Sequence, residues 1–281
     1  MQAEAVTGPV AGHGEGPVWS DGWGGLRWVD QLAGDVLHLE AGGGVHRRHV
    51  APVVAAIRPR RGGGAVLGVE RGFALEAPDG TVEVLPPLWD HAGERMNEGG
   101  CDPDGRFYCG SMVEARRPTG RLHRLDPDGT VTTVLGGVTV SNGLDWSPDG
   151  NIAYYVDTAT GRIDAFGYDV DTGLTGRRPF VVVPDADGHP DGLAVDAEGG
   201  VWVALHRGGQ VRRYDADGDL DAVVEVPVPR VTACTFGGPA LDELYITTSK
   251  AGEGPGDTGL AGALFRAHVG VRGRPARPYG G

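Results

Sequence analysis

Cysteine is scarce in this chain: Cys101, Cys109 and Cys234 are three among 281 residues. Their number is odd and their spacing is not that of metal ligands, which argues against a disulfide framework and for buried or idle thiols in a reducing compartment. No stretch approaches the roughly 20 apolar residues of a membrane-spanning helix. Met1 to Val10 contains no basic segment followed by an apolar run, so no secretory signal is expected and a cytoplasmic protein is. Positive charge is also short. Lys and Arg number 25 against 38 Asp and Glu, and a formal charge of −13 opposes binding to nucleic acid, which needs a concentrated basic surface. The local clusters Arg58 to Arg61 and Arg116-Arg117 are expected in solvated loops. There is no Gly-x-Ser-x-Gly elbow, which speaks against a serine hydrolase, and no Gly-rich phosphate loop followed by Lys and Ser/Thr.

What the chain does have is glycine, 50 in all, and a repeat. One set of turn-then-strand segments begins at Gly25-Leu26, Gly64-Ala65, Gly105-Arg106, Gly150-Asn151, Gly200-Val201 and Asp242-Glu243. A second set alternates with it, at Gly34-Asp35, Gly72-Phe73, Gly120-Arg121, Gly161-Arg162, Gly209-Gln210 and Gly262-Ala263. Short runs of Val, Ile, Leu, Tyr and Trp bounded by Asp-Gly read as strands joined by tight hairpins, with glycine taking positive φ. Each repeat spans roughly 40 to 50 residues, the length of a four-stranded propeller blade. The chain is therefore expected to be all-β, a six-bladed β-propeller forming a single domain over residues 1–281, since no linker-like segment divides it. Two stacked β-sandwiches would not require six copies of one signature.

The repeat brings a set of polar residues into register. Eight residues before Gly105, Gly150 and Gly199 stand Asn97, Asn142 and Asp191, and nine before Gly24 stands Glu15. The equivalent residues in the second and sixth repeats are Val54 and about Thr232, so the position is not polar by rule. At the start of innermost strands such side chains would converge on the channel mouth. Glu15, Asn142 and Asp191 offer two carboxylates and an amide carbonyl, a hard-oxygen set suited to a divalent cation, Ca²⁺ or Zn²⁺ ahead of Mn²⁺ or Mg²⁺. The bland reading is that Asn and Asp cap their own turns. Carboxylates converging on a closed channel without a cation would repel one another, which favours the metal.

The motifs that carry these residues are Gly14-Glu15-Gly16-Pro17-Val18-Trp19, Arg95-Met96-Asn97-Glu98-Gly99, Gly110-Ser111-Met112, Ser141-Asn142-Gly143-Leu144-Asp145-Trp146 and Pro190-Asp191-Gly192-Leu193. In order and spacing the chain resembles, over essentially its whole length, the gluconolactonases, regucalcin and related lactone hydrolases. The resemblance implies a six-bladed propeller with one divalent cation held by Glu15, Asn142 and Asp191. It also implies that Arg95 and Asn97 contact substrate oxygens, with Asn97 facing a water on the cation, and that the substrate is a sugar lactone. Relatives act on other esters or organophosphates. Where regucalcin-like chains carry paired acids, this one reads Met112-Val113-Glu114-Ala115, which implies a substrate that is smaller, differently hydroxylated, or held by Glu114 instead; the usual Asn-Asp is Asn97-Glu98.

The chemistry expected of such a set is opening of a lactone, with the cation polarising the carbonyl and activating water. Asp191 is the candidate general base. Arg95 either stabilises the developing oxyanion, holds substrate hydroxyls, or forms an ion pair with Glu94 or Glu98. The expected partner is a small-molecule lactone, with no nucleic acid or membrane. His13 and His189 are read as neighbours of the site rather than ligands, and Trp19, Trp28, Trp146 and Trp202 as packing between blades. The rival readings are a metal-dependent esterase or phosphotriesterase on the same scaffold and a non-catalytic binding propeller plugged by its ion.

Overall fold

A computed structural model describes residues 1–251 and 259–281. Six antiparallel four-stranded sheets stand around one axis as a β-propeller. The innermost strands of the first five blades are Gly14–Ser20, Val54–Pro59, Glu94–Cys101, Ser141–Trp146 and His189–Val195. The first set of repeat segments forms the second strand of each blade, for example Gly25–Asp30 and Ile152–Asp157, and the second set forms the third. The turn between the first two strands works as the sequence suggests. In the third blade Asp102 Oδ1 accepts the N–H groups of Asp104 and Arg106, and Gly105 closes the hairpin at φ +80°.

The sixth blade, Val231–Gly237, Glu243–Thr248 and Phe265–His268, is completed from the other end of the chain. Glu4–Ala5 pairs antiparallel with its third strand, Glu4 opposite Arg266. The ring is thus shut by main-chain hydrogen bonds, and no blade is left with an open side to slide away from its neighbour.

Apolar residues on facing blades form the core. Trp28, Trp146 and Trp202 are fully buried between blades, and Trp146 meets Tyr108 and Tyr168 at ring-centroid distances of 5.4 and 5.9 Å. Trp19 differs, being half-buried on the face where the innermost strands end and stacked on Tyr245. All three cysteines are free and buried, and burial pushes their thiols up, as idle thiols require. The arginine run departs from expectation: Arg58 lies on an innermost strand and faces the channel rather than solvent.

One irregularity recurs in every blade. Pairing between the first and second strands slips between Glu15 and Val18, Val54 and Ala56, Met96 and Glu98, Ser141 and Leu144, Pro190 and Leu193, and Val231 and Ala233. A β-bulge turns one residue out of the ladder and aims it elsewhere. Here the positions at or beside the slip include all four polar residues found by the repeat.

Candidate functional site

The bulges explain both the polar residue and the glycine that follows it. A Cβ on Gly143 would lie 2.5 Å from Leu193 N and 2.8 Å from Asp191 O, and one on Gly192 would lie 2.4 Å from Ala233 Cβ. Adjacent innermost strands can approach this closely around the axis only if these residues are glycine. The preceding side chain is thereby brought to the channel, and Glu15, Asn97, Asn142 and Asp191 are all buried there.

Their hydrogen bonds fix which atoms face one another. Asn97 Nδ2 donates to Ser141 O at 2.8 Å and to Asn142 Oδ1 at 3.1 Å, and Asn97 Oδ1 accepts from Arg95 Nη1 at 2.8 Å. Asn142 Nδ2 donates to Thr158 Oγ1 at 2.7 Å, and that hydroxyl donates to Pro190 O at 2.8 Å. The amide of Asn142 is held with its nitrogen toward the wall. Gly16 N donates to Glu15 Oε2 at 3.2 Å, while His13 Nε2 stands 3.8 Å from Glu15 Oε1. Asp191 Oδ1 is buried without a hydrogen-bond partner.

Electrostatically the ring is overloaded with negative charge. Burial, then the charges of Asp191 and Glu98, hold the Glu15 carboxyl well above the usual carboxylate range. Burial and Glu98 do the same to Asp191, and burial pushes Glu98 up to about 7. Two buried acids with an orphaned oxygen and an amide oxygen beside them are the donor set a hard divalent cation would take. The residues present therefore fit such an ion. Among the described residues no three His, Cys, Asp or Glu side chains form a metal cluster by themselves.

The other expected residues fall at graded distances from this centre. Arg95 is half-buried; its Nη1 also donates to Met96 O, and among the described residues it pairs with neither Glu94 nor Glu98. Glu94 is instead bonded by Ser111 Oγ and His91. Glu114 stands exposed on the rim, where its charge acts on Arg95. His189 faces Asp185 at 3.4 Å, away from the ring. His13 is closer: burial and then Arg95 push it down to about 4, so it is neutral, and its Nδ1 meets Ser249 Oγ at 2.7 Å.

Reading the sequence missed three residues that hold the site. Glu98 is buried one residue beyond Asn97, with Oε2 unpartnered. Thr158 anchors Asn142, and Gln31, fully buried, donates from Nε2 to Asn97 O at 2.8 Å. Gln31 and Thr158 each follow the aspartate that ends a second strand. Those aspartates act alike: Asp30 accepts the N–H groups of Gly12 and His13, and Asp157 those of Thr139 and Val140. The period that exposed the four ring residues would have exposed this pair at the position after Asp.

Comparisons with known proteins agree with this architecture. Pentonolactonase XacC of Haloferax volcanii is 40% identical over 93% of this chain and 92% of its own length. Regucalcin of Sus scrofa is 36% identical over 95% of each chain. The crystal structure of a regucalcin from Agrobacterium tumefaciens, described as a calcium-binding protein, superposes with a TM-score of 0.92 at 27% identity, covering 99% of this chain and 97% of that one. The model of the SMP-30/Gluconolactonase/LRE-like region matches residues 13–250, and the chain belongs to that family.

Proposed function

We propose that this protein is a divalent-cation-dependent hydrolase that opens a sugar lactone, acting as one cytoplasmic domain over residues 1–281. The observation that carries the reading is the convergence of two buried carboxylates, Glu15 and Asp191, with the Asn142 amide oxygen at one mouth of the channel, Asp191 Oδ1 being unpartnered. Lactonase activity in the name of a 40% identical relative supports the reaction class, and the calcium-binding regucalcin structure supports a cation. Glu15, Asn142 and Asp191 would hold the ion, Ca²⁺ or Zn²⁺ ahead of Mn²⁺ or Mg²⁺. When bound, it would supply Lewis acidity at the lactone carbonyl and lower the pKa of water.

The chain's own groups divide the remaining work. Asp191 would share its two carboxylate oxygens between the ion and the attacking water, one as ligand and the other as proton acceptor. Among the described residues Arg95 commits only Nη1, leaving Nε and Nη2 for substrate oxygens or the negative charge that develops on the carbonyl. Asn97 is gripped from both sides, by Arg95 and through Asn142, which pre-orients its amide toward the same space. Glu114 on the rim would accept a hydroxyl of the substrate.

The test is hydrolysis of a sugar-lactone panel that includes glucono-1,5-lactone and pentonolactones, before chelation, after it, and after return of each cation. Turnover lost to chelator and restored by one ion is the expected outcome. Faster turnover of aryl esters or organophosphates would move the assignment to an esterase or phosphotriesterase. No turnover of any of these with any ion would leave a binding propeller.

A further inference from the structure

The opposite end of the channel is built differently. Below the polar ring lies a chamber of about 80 Å³, with Glu98 at its inner end and Arg58, Asp145, Arg274 and Arg277 toward the lower face. Two of these arginines arrive on the C-terminal segment, which is strapped across the ring. Gly273 N donates to Leu241 O, Ala197 N donates to Arg272 O, Tyr279 N donates to Pro59 O, and Gly280 N donates to Gly105 O. Blades six, five, two and three thus all hold the strap, and the arginines are fixed rather than dangling.

Three guanidinium groups share the chamber with two carboxylates, and the pairing is incomplete. Asp145 is already committed, accepting Trp146 N, Val195 N and, at 3.5 Å, Arg274 Nη2. Among the described residues Arg58 donates only to the carbonyl of its neighbour Ile57, at 2.7 Å, while its charge acts on Glu98. Arg277 Nη2 donates to Ser147 O at 3.0 Å, but its Nη1 is buried with no partner. Burial pushes the Arg277 guanidinium below the usual arginine range, as expected of a cation short of counter-charge. A buried, unpaired donor on a cation is costly unless something completes it.

Access is provided from the same side. A cleft of about 430 Å³ shares Trp19, Pro275 and Ala276 with the chamber and adds Arg60 and Arg61. On a chain of formal charge −13, the five arginines at this mouth outnumber the three carboxylates beside them, Glu98, Asp145 and Asp21, and the local excess of positive charge draws in anions. A chamber of that size takes several waters, since about 10–15 Å³ of such space already holds one. That admits a small oxyanion.

We propose that the lower mouth of the channel is a binding site for a small oxyanion, a phosphate or a carboxylate, held by the guanidinium groups of Arg58 and Arg277. Guanidinium forks suit both anions, giving two N–H donors to two oxygens. The site lies at the far end of the channel from the polar ring, with Glu98 between them.

Calorimetric titration of the intact protein with inorganic phosphate, at ionic strength fixed with chloride, tests this; a parallel titration with acetate distinguishes the two sources. Saturable one-site binding is expected, weakened about tenfold or more by Arg58→Gln and by Arg277→Gln. Arg277→Gln also gives up the bond to Ser147 O, so Arg58→Gln, which loses only a bond to its neighbour's carbonyl, is the variant that keeps the fold. Saturation by one anion alone names the class. Absence of saturable binding for both, or wild-type affinity in Arg58→Gln, as for phosphate captured by a cation at the upper ring, overturns the proposal.

Discussion

Asp191→Asn keeps the shape of one ring residue and removes its charge, and it should raise the stability of the metal-free protein while destroying its activity. Glu15, Asp191 and Glu98 all have folded-state pKa values raised, first by burial and, for Glu15 and Asp191, also by neighbouring carboxylates. In the window between the unfolded value near 4 and the raised one, the folded chain binds protons that the unfolded chain has released. Stability from these groups is therefore fully present below about pH 4 and falls as pH climbs through the window. For Glu98 the window closes at about 7. Each pH unit costs about 1.4 kcal/mol per group, a Tm change of roughly 3–5 °C for a domain of this size. Asn at 191 deletes one such group and relieves Glu15. In chelator at pH 7.5 the variant should melt at least that much above wild type, with a shallower pH slope. A saturating cation should reverse the order, since an ion at 100 times its Kd adds about 2.7 kcal/mol to wild type and little to the variant. Thermal melts from pH 4 to 8, with and without cation, together with lactone turnover, supply the measurement. A variant less stable than wild type in chelator, or equally stabilised by the ion, would refute the account of the ring.

Other consequences are as direct. Arg95→Ala and Asn97→Ala should each abolish turnover while leaving the cation's thermal shift intact; wild-type rates in both would show that the substrate contacts lie elsewhere. Gly192→Ala places a methyl 2.4 Å from Ala233 Cβ and 2.9 Å from Thr232 O, and neither can swing away. Urea denaturation should show a loss of about 1–3 kcal/mol, and an unchanged midpoint would mean the strands are looser than described. Thr158→Val removes both the acceptor for Asn142 Nδ2 and the donor to Pro190 O. A loss of about 1–3 kcal/mol and a weaker response to cation are expected, and Thr158→Ser should restore the cation response.

The fold was legible because the repeat writes it twice, once in the second strands and once in the third, and Asp-Gly turns set the phase. The four ring residues were legible for the same reason, since the bulge that aims them recurs at one place in each blade. What stayed hidden depends on contacts between distant segments. Nothing local says that Arg58 faces a channel, because its environment is made by Arg274 and Arg277 more than 200 residues away. Burial of Glu98 is equally non-local: it follows from the close approach of innermost strands around the axis, and Glu differs from Asp by one methylene in the sequence.

The ring's asymmetry connects fold to chemistry. Six blades present the same bulge, yet at the position the repeat brings to the mouth a carboxylate stands only in the first and fifth, as Glu15 and Asp191, with Glu98 of the third blade one residue further along its strand. Between them the sixth blade offers Thr232, whose hydroxyl is turned into the wall by donating to Gly14 O at 2.6 Å. The second blade offers Val54, fully buried. Amides come from the third and fourth blades, and the third also brings Arg95. Negative charge is therefore gathered on one side of the mouth and a guanidinium stands across from it. Hydrolysis of an ester asks for that polarity, a proton acceptor on one side of the carbonyl and a cationic donor for the developing oxyanion on the other. A sixfold-symmetric ring of acids could hold an ion equally well but would give an incoming carbonyl no preferred direction. The departures from the repeat, more than the repeat itself, are what make this mouth suited to a reaction.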